Sequence, residues 1–202
     1  SIKAQNTEIP ISELLEFSSI EEIKDYVIDK QIETVLRKNH EEQLDYLAKK
    51  IGLETLKKYD SFKDFVEIME RRNLFVHSDG KVSRQYIEQC LKAGCNVEVK
   101  VGEFLNADYA YVKKTYDVLA ETGVKLSQII WRKISTGVEN SDTSLQDITY
   151  NYLRRGQYEL ANKLLAFALS PSIKHHDSEF EWVFRVNYAL SYYLADDKEQ
   201  SD

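Results

Sequence analysis

Apolar residues recur through the first part of this chain at the three- and four-residue spacing that is typical of amphipathic helices. Ser19 is followed three positions later by Glu22, a capping-box signature that predicts the start of a helix. The apolar stripe of this helix comprises Ile20, Ile23, Val27 and Val35. A second, shorter helix is predicted from the stripe Leu44, Leu47, Ile51 and Leu53.

A third helix is predicted to begin at Ser61 and to run toward position 77. On an ideal helical wheel, Asn73 falls in the middle of the apolar stripe, Arg72 and His77 flank it, and Arg71 points to the opposite side, toward solvent. We therefore expect the stripe to become polar in its last turns while it still faces inward. The apolar members of the stripe are Phe62, Phe65, Val66, Met69 and Val76.

The middle of the chain contains a predicted turn, a predicted short strand and the longest predicted helix. Ser78–Gly80 supply the turn, and the alternating sequence VEVKV at 97–101 indicates a strand. Asn106 is the expected cap of the long helix, in which Gly123 would permit a close helix approach. Two sets with a seven-residue period predict a seam packed lengthwise in a bundle: Tyr109, Tyr116, Gly123 and Ile130, and Val112, Leu119 and Leu126.

The composition changes after this helix, which predicts three regions along the chain. Residues 1–134 form a predicted four-helix-type bundle, and the polar, turn-rich stretch STGVENSDTS at 135–144 is interpreted as a linker. The segment 145–202 resembles the tetratricopeptide repeat, in which small alanines let two antiparallel helices approach closely. Its matching positions are Gly156, Tyr158, Ala161, Ala168 and Leu169. A generic helical hairpin is the alternative interpretation, and the array is expected to be incomplete.

Composition narrows the class of protein. Gly 7 and Pro 2 are low counts for 202 residues, so long uninterrupted helices and an all-α fold are expected. The net charge of −7 argues against sequence-blind coating of nucleic acid but permits capture of a phosphate in a small site. Without a membrane-length apolar run or a signal peptide, a cytoplasmic protein is expected, with Cys90 and Cys95 as free thiols. The start at Ser1 is interpreted as processing or trimming.

The segment ERRNLFVHSDG at 70–80 carries the candidate chemistry. Histidine titrates near neutral pH, so His77 is a candidate proton donor or acceptor, while Arg72 offers a permanently charged fork to phosphate oxygens. Asn73 is placed to orient the imidazole or to hold a phosphate oxygen. From the residues alone, a hydrogen-bonded core network and a functional pocket both remain open.

RNLFVH within this segment resembles the Arg-polar-x-x-x-His motif of the HEPN superfamily, helical domains of which many are metal-independent RNA endonucleases. The resemblance implies catalytic roles for Arg72, Asn73 and His77 and no cofactor or metal. It also implies a homodimer that brings two motifs to one groove, attack by the RNA 2′-hydroxyl, and 2′,3′-cyclic phosphate products. Arg71, Lys81 and Arg84 lie near the motif and are expected to guide the RNA backbone.

Two further expectations complete the sequence picture. His175, His176 and Asp177 are interpreted as a solvated loop rather than a metal site, because adjacent histidines point apart. Family members with the motif occur in toxin–antitoxin and phage-defence systems, so an antitoxin or another protein is expected to bind the C-terminal helices. The rival hypothesis is a non-catalytic interaction or regulatory protein, in which the polar edge only organises a dimer.

Overall fold

The computed structural model describes residues 9–38, 42–43, 46, 59, 61–135 and 137–201, with side chains described as far as residue 196. Within these residues the chain is all-helical, which confirms the predicted fold class. The helices are α1 (Ile11–Leu14), α2 (Ile20–Leu36), α3 (Ser61–Ser78), α4 (Arg84–Lys92), α5 (Tyr109–Ile134), α6 (Val138–Arg154), α7 (Tyr158–Ala168) and α8 (Ser178–Ser201).

The chain forms two compact units, Ser1–Thr55 and Leu56–Asp202. In the first unit, the predicted start of α2 is confirmed: the Ser19 hydroxyl accepts a hydrogen bond from the Glu22 N–H at 3.1 Å. The Glu22 carboxylate in turn accepts one from the N–H of Ser18 at 2.7 Å. Glu13 joins α1 to α2 by accepting from the Tyr26 hydroxyl at 2.6 Å. The second predicted helix, with Leu44, Leu47, Ile51 and Leu53, lies outside the described residues.

Helix α3 begins at Ser61 as predicted, but its final turns face in an unexpected direction. Leu74 is buried against Val82 and Tyr86, on the side of α3 away from Val76. Val76 itself is 55% exposed, so the prediction that the end of the stripe faces inward is wrong. The physical reason is that a second set of α3 side chains, around Leu74, packs against α4 and the segment that follows α3.

The segment after α3 is fixed by backbone hydrogen bonds. Gly80 has φ of 79°, donates its N–H to Leu74 O at 3.1 Å, and accepts from Leu105 N at 3.0 Å. A Cβ at this position would lie 2.9 Å from the carbonyl oxygen of Leu105, so only glycine fits without a shift. An isolated antiparallel bridge joins Lys81 to Phe104. The predicted turn is confirmed, but the predicted strand at 97–101 is wrong, since that stretch is irregular.

Helix α5 is capped by Asp108, whose carboxylate accepts from the Tyr111 N–H at 2.8 Å, rather than by Asn106 as predicted. The predicted seam is wrong over its first half, because Tyr109, Val112, Tyr116 and Leu119 are exposed. A Cβ on Gly123 would have no atom within 4 Å, so this glycine makes no close helix approach. The buried residues of α5 are instead Val118, Glu121, Lys125 and Gln128.

The buried polar face of α5 is held by charge pairing. Lys125 Nζ is ion-paired with Glu121 and lies 4.1 Å from the ring centroid of Tyr59. The Ser61 hydroxyl donates to Glu121 at 2.8 Å, and Lys163 of α7 lies 3.8 Å from the same carboxylate. Because these partners come from α3 and α7, the polar side of α5 faces the interior of the unit.

Helices α6, α7 and α8 pack on one another around a second apolar cluster. Ala161 and Ala168 are fully buried, as expected for closely approaching helices, although the tetratricopeptide resemblance itself stays a prediction. The linker interpretation of 135–144 is wrong, because α6 begins at Val138 and both Ser141 and Asp142 are fully buried. The cluster comprises Leu145, Leu153, Ala161, Leu165, Phe167, Ala168, Ile173 and Phe184.

Two further features bear on the sequence predictions. Cys90 and Cys95 are both free thiols, as predicted, and burial raises the pKa of Cys90 to about 12. Among the described helices, none combines the length and apolar character that crossing a bilayer requires.

Candidate functional site

The three motif residues lie on the outward side of the last two turns of α3. The side chains of Arg72 and His77 are exposed, and Asn73 is half-buried. Arg72 Nη1 donates to Asn73 Oδ1 at 3.2 Å, so the amide and the guanidinium form one polar group. Within the described part of the chain, no side chain or backbone group hydrogen-bonds to the imidazole of His77. The arrangement does not match a buried core network, which would require these groups to be paired inside the unit.

Arg71 does not point to solvent, and the wheel prediction for its orientation is wrong. Its Nε lies 2.6 Å from Glu67 Oε1, and both side chains are only 18% exposed. Its Nη1 donates to the carbonyl of Asn106 at 3.2 Å, and the guanidinium carbon lies 4.0 Å from the ring centroid of Tyr111. These contacts hold α3 against the start of α5. A role of Arg71 in binding RNA stays a prediction, but its orientation serves packing first.

Glu67 is the centre of a polar cluster that the sequence analysis missed. Its carboxylate accepts from the Tyr86 hydroxyl at 2.8 Å and from the Tyr111 hydroxyl at 3.0 Å. Burial and the neighbouring carboxylate raise the pKa of both tyrosines well above the ordinary value, so both hydroxyls remain protonated donors. The spacing of Glu67 and Arg71, four residues apart, was the available sequence signal.

The cluster lines one side of a cavity of about 460 Å³. Cys95 and Leu105 contribute to its wall, and Lys114 at its edge pairs with Asp64 at 2.8 Å. The cationic and anionic side chains of the lining are equal in number, and two of the cations are paired, Arg71 with Glu67 and Lys114 with Asp64. This balance makes the cavity a weaker candidate for binding phosphate than the outward side of α3.

The two remaining predicted contacts follow the motif along the chain. Lys81 and Arg84 are both exposed, Lys81 directly after the turn that ends α3 and Arg84 as the first residue of α4. The Lys81 N–H donates to Ser78 O at 2.8 Å, which keeps this lysine close to the last turn of α3. Arg72, His77, Lys81 and Arg84 are therefore four exposed, basic or titratable side chains in a short stretch of chain.

The arrangement on α3 offers two of the groups that metal-independent phosphodiester cleavage uses. An exposed imidazole can accept or donate a proton, and an exposed guanidinium can stabilise charge on phosphate oxygens. Asn73 accepts a hydrogen bond from Arg72 and makes none with the ring of His77, which was one of its two expected roles, whereas the other, holding a phosphate oxygen, stays a prediction. Across the described ranges no group of histidine, cysteine or carboxylate side chains is suited to hold a metal ion.

A second polar cluster lies around Asp142 at the start of α6. Its carboxylate accepts from Arg132 Nη2 at 2.6 Å, faces His175 Nδ1 at 2.8 Å, and accepts from the backbone N–H of His176 at 2.7 Å. The His175 side chain is only 8% exposed, so the solvated-loop interpretation is wrong for this residue. The cluster joins the end of α5 to the loop before α8, where His175 also lines a cavity of about 370 Å³.

Comparison with protein-family models, with curated proteins and with solved structures finds no match for this chain. The residues and their geometry therefore carry the functional argument.

Proposed function

We propose that this chain is a metal-independent RNA endonuclease of HEPN type that acts as a homodimer. The observation that carries the proposal is the placement of Arg72 and His77, both exposed on the outward side of one helix in the Arg-Asn-x-x-x-His spacing. In the reaction, one imidazole removes the proton of the RNA 2′-hydroxyl, and the 2′-oxygen then attacks the adjacent phosphorus. The 5′-oxygen departs with a proton, which leaves a 2′,3′-cyclic phosphate and a 5′-hydroxyl.

A dimer supplies the second imidazole that one subunit lacks. A single His77 cannot easily stand on both sides of an in-line displacement, whereas two copies related by a two-fold axis present two imidazoles and two guanidiniums. Exposed apolar side chains favour such an association. Val76 lies on α3 between Arg72 and His77 at 55% exposure, and α5 exposes Tyr109 and Val112 at 85% and 54%.

The test is incubation of the purified protein with RNA in the presence of a chelator. Cleavage is expected to persist, and its products are expected to accept a 5′-label from a kinase directly, because their 5′ ends carry hydroxyls. Arg72→Ala and His77→Ala are each expected to lower the rate by about 10²–10⁴-fold with little change in Tm, since both side chains are exposed. Matched controls are Arg154→Ala and His176→Ala, which remove exposed side chains elsewhere.

Mixing experiments test the dimer. If each cleavage uses two His77 side chains, an equimolar mixture of parent and His77→Ala subunits, once exchanged, retains about a quarter of the parent activity. If one His77 per shared groove suffices, the mixture retains about three quarters, and if each subunit cleaves independently with its own His77, it retains about half. A monomer by light scattering that still cleaves RNA would contradict the shared groove.

A different observation favours a non-catalytic interaction role as the second candidate function. Helix α8 exposes a line of large apolar side chains: Trp182, Val186, Leu190 and Tyr193, at 68%, 62%, 39% and 70%. Such a line suits a protein partner, for example an antitoxin in a toxin–antitoxin or phage-defence setting. If purified protein never cleaves RNA, and Trp182→Ala abolishes capture of a protein encoded beside it, this second function replaces the first.

A further inference from the structure

Lys81 and Phe104 face each other across the bridge that follows α3. Two hydrogen bonds flank the pair, from Val82 N to Glu103 O at 2.8 Å and from Leu105 N to Gly80 O at 3.0 Å. This pattern defines a non-hydrogen-bonded antiparallel pair, in which the opposed side chains lie side by side on one face. The side chains of Lys81 and Phe104 therefore leave the bridge next to each other on the same face.

The pair faces solvent, while the adjacent residues face the interior. Phe104 is 67% exposed, whereas Val82 is 2% exposed in the apolar cluster under α4. Nothing in the packing of the described residues requires a ring there, because the interior side of the bridge is filled by other side chains.

The bridge is attached directly to the end of the motif helix. Four positions separate His77 from Lys81, and the turn between them is closed by the hydrogen bond from Lys81 N to Ser78 O at 2.8 Å. The Phe75 ring also lies against Gly80, where a Cβ would approach it to 3.1 Å. The position of Phe104 is thus fixed relative to the last turn of α3.

We propose that Phe104 and Lys81 form a nucleotide subsite beside the Arg72–His77 motif, in which the ring stacks on an unpaired base and the ammonium contacts its phosphate. This inference rests on the proposed function, because it assigns the base next to the cleaved bond. The exposed cations Lys81 and Arg84 are matched in number by the exposed carboxylates of Asp79 and Glu103, so the segment has no excess of positive charge. The subsite therefore depends on the local pair, with the ring of Phe104 as the stacking surface and Lys81 as the contact to phosphate.

The chemistry of the pair selects for unpaired nucleotides. A phenylalanine ring has no hydrogen-bonding group, so it recognises the face of a base and not its identity. In a duplex that face is covered by the neighbouring base pair and is not accessible to the ring. The subsite therefore favours a single-stranded segment or a loop at the cleavage position, with little preference among bases.

Binding is best measured in the His77→Ala background, where cleavage does not consume the RNA. Phe104→Leu keeps an apolar side chain but removes the ring, and is expected to weaken binding of a short single-stranded RNA roughly tenfold or more. Phe104→Trp is expected to preserve binding and to show fluorescence quenching by RNA beyond that of the parent, which contains Trp131 and Trp182. Lys81→Gln is expected to reduce the salt dependence of binding by about one charge.

Replacing one unpaired base by an abasic position supplies the matching change in the ligand. The abasic position is expected to weaken binding to the parent ring but not to Phe104→Leu, because the base and the ring are the two sides of the same contact. If the His77→Ala protein binds single-stranded RNA equally well with and without Phe104→Leu, the proposed subsite is wrong. It is also wrong if Phe104→Leu changes the oligomeric state, which would place the ring in a protein interface.

The outcomes separate this inference from the proposed function. If the parent cleaves RNA and Phe104→Leu cleaves and binds equally well, the subsite is wrong and the nuclease stands. If neither the parent nor any variant cleaves RNA but Phe104→Leu weakens binding of single-stranded RNA, the proposed nuclease activity is wrong and the binding subsite is supported. Thermal unfolding of each variant establishes that the substitutions leave the fold intact.

Discussion

Glu67 and Arg71 lie one turn apart on α3 and are joined by a 2.6 Å contact between Glu67 Oε1 and Arg71 Nε. The same carboxylate accepts the hydroxyls of Tyr86 and Tyr111, so it links α3 to α4 and α5. This network turns one side of α3 inward and leaves Arg72, the next residue, on the outward side. Two consecutive arginines thus have different tasks, one in packing and the other in the proposed chemistry.

Replacement of each arginine should reveal that difference. Arg71→Ala is expected to lower the free energy of unfolding by about 2 kcal/mol, because it leaves a largely buried carboxylate without its counter-ion. Arg72→Ala is expected to change it by less than about 0.5 kcal/mol, since the side chain is exposed. Urea unfolding with an unchanged m-value measures both. Equal losses for the two variants would contradict the orientation of α3.

The hydroxyl of Tyr86 should contribute separately from its ring. Tyr86 is 3% exposed and donates to Glu67 at 2.8 Å, so Tyr86→Phe is expected to cost about 1 kcal/mol of stability. Tyr109→Phe is the matched control, because Tyr109 is 85% exposed. The same unfolding measurement applies. If both variants lose nothing, the hydroxyl is not a net contributor to the network.

Asp142 should make stability depend on pH in the acid range. Burial alone would raise its pKa, but hydrogen bonds from His176 N–H, Arg132 and His175 outweigh it and lower the pKa below the ordinary value. Because the folded-state pKa is depressed, this stabilisation is complete above about pH 4 and is lost as the pH falls through the folded-state value.

The variant that tests this is Asp142→Asn, which keeps the shape of the side chain and removes its charge. It is expected to lose about 3 kcal/mol at pH 7, because Arg132 and His175 face a neutral group. The difference from the parent should shrink in strong acid, where the parent carboxylate is itself protonated. Asp147→Asn, at an exposed position of the same helix, is the control. A constant difference across pH would exclude the proposed linkage.

The buried pair Glu121–Lys125 should behave as a unit. Lys125→Met is expected to cost about 3 kcal/mol, since it leaves a carboxylate that is 3% exposed without its main partner. The double variant Glu121→Leu, Lys125→Met is expected to be more stable than Lys125→Met alone, because both buried charges are then absent. Additive losses in this double-mutant cycle would contradict direct pairing.

Local signals in the sequence were sufficient to predict the helical class and several helix boundaries. The cap at Ser19 depends on a side chain within one turn, which the sequence displays directly. The helix that begins at Ser61 was also predicted, although the Ser61 hydroxyl donates to the distant Glu121. The burial of Ala161 and Ala168 could also be predicted, because small residues at helical spacing let two helices approach closely.

The orientation of the helices was harder to predict from the sequence, because it depends on partners that are distant along the chain. Periodicity assigned the apolar side of α5 to the interior, yet the interior side carries Glu121 and Lys125. Those charges are compensated by Ser61 and Lys163, which the sequence does not place beside them. The same applies to Asp142, whose partners His175 and His176 lie more than thirty positions away. When the partners of a polar segment lie far away in the sequence, its composition alone does not distinguish it from a linker.

The candidate site was predictable in identity but not in orientation. The spacing of Arg72, Asn73 and His77 is a property of the sequence, and the structure leaves two of these side chains exposed. The wheel placed them at an inward-facing edge because it considered only the apolar stripe of α3. It did not account for Glu67, whose bonds to two tyrosines turn the opposite side of the helix inward.

The contact between Arg132 and Asp142 has a practical consequence for anyone who divides this chain for expression. A cut after Ile134 would separate the helix that carries Arg132 from the carboxylate that neutralises it. It would also remove Lys163 from the neighbourhood of Glu121 and expose the charged side of α5 to water. Such a piece should aggregate or unfold, and inactivity on its part would say nothing about His77.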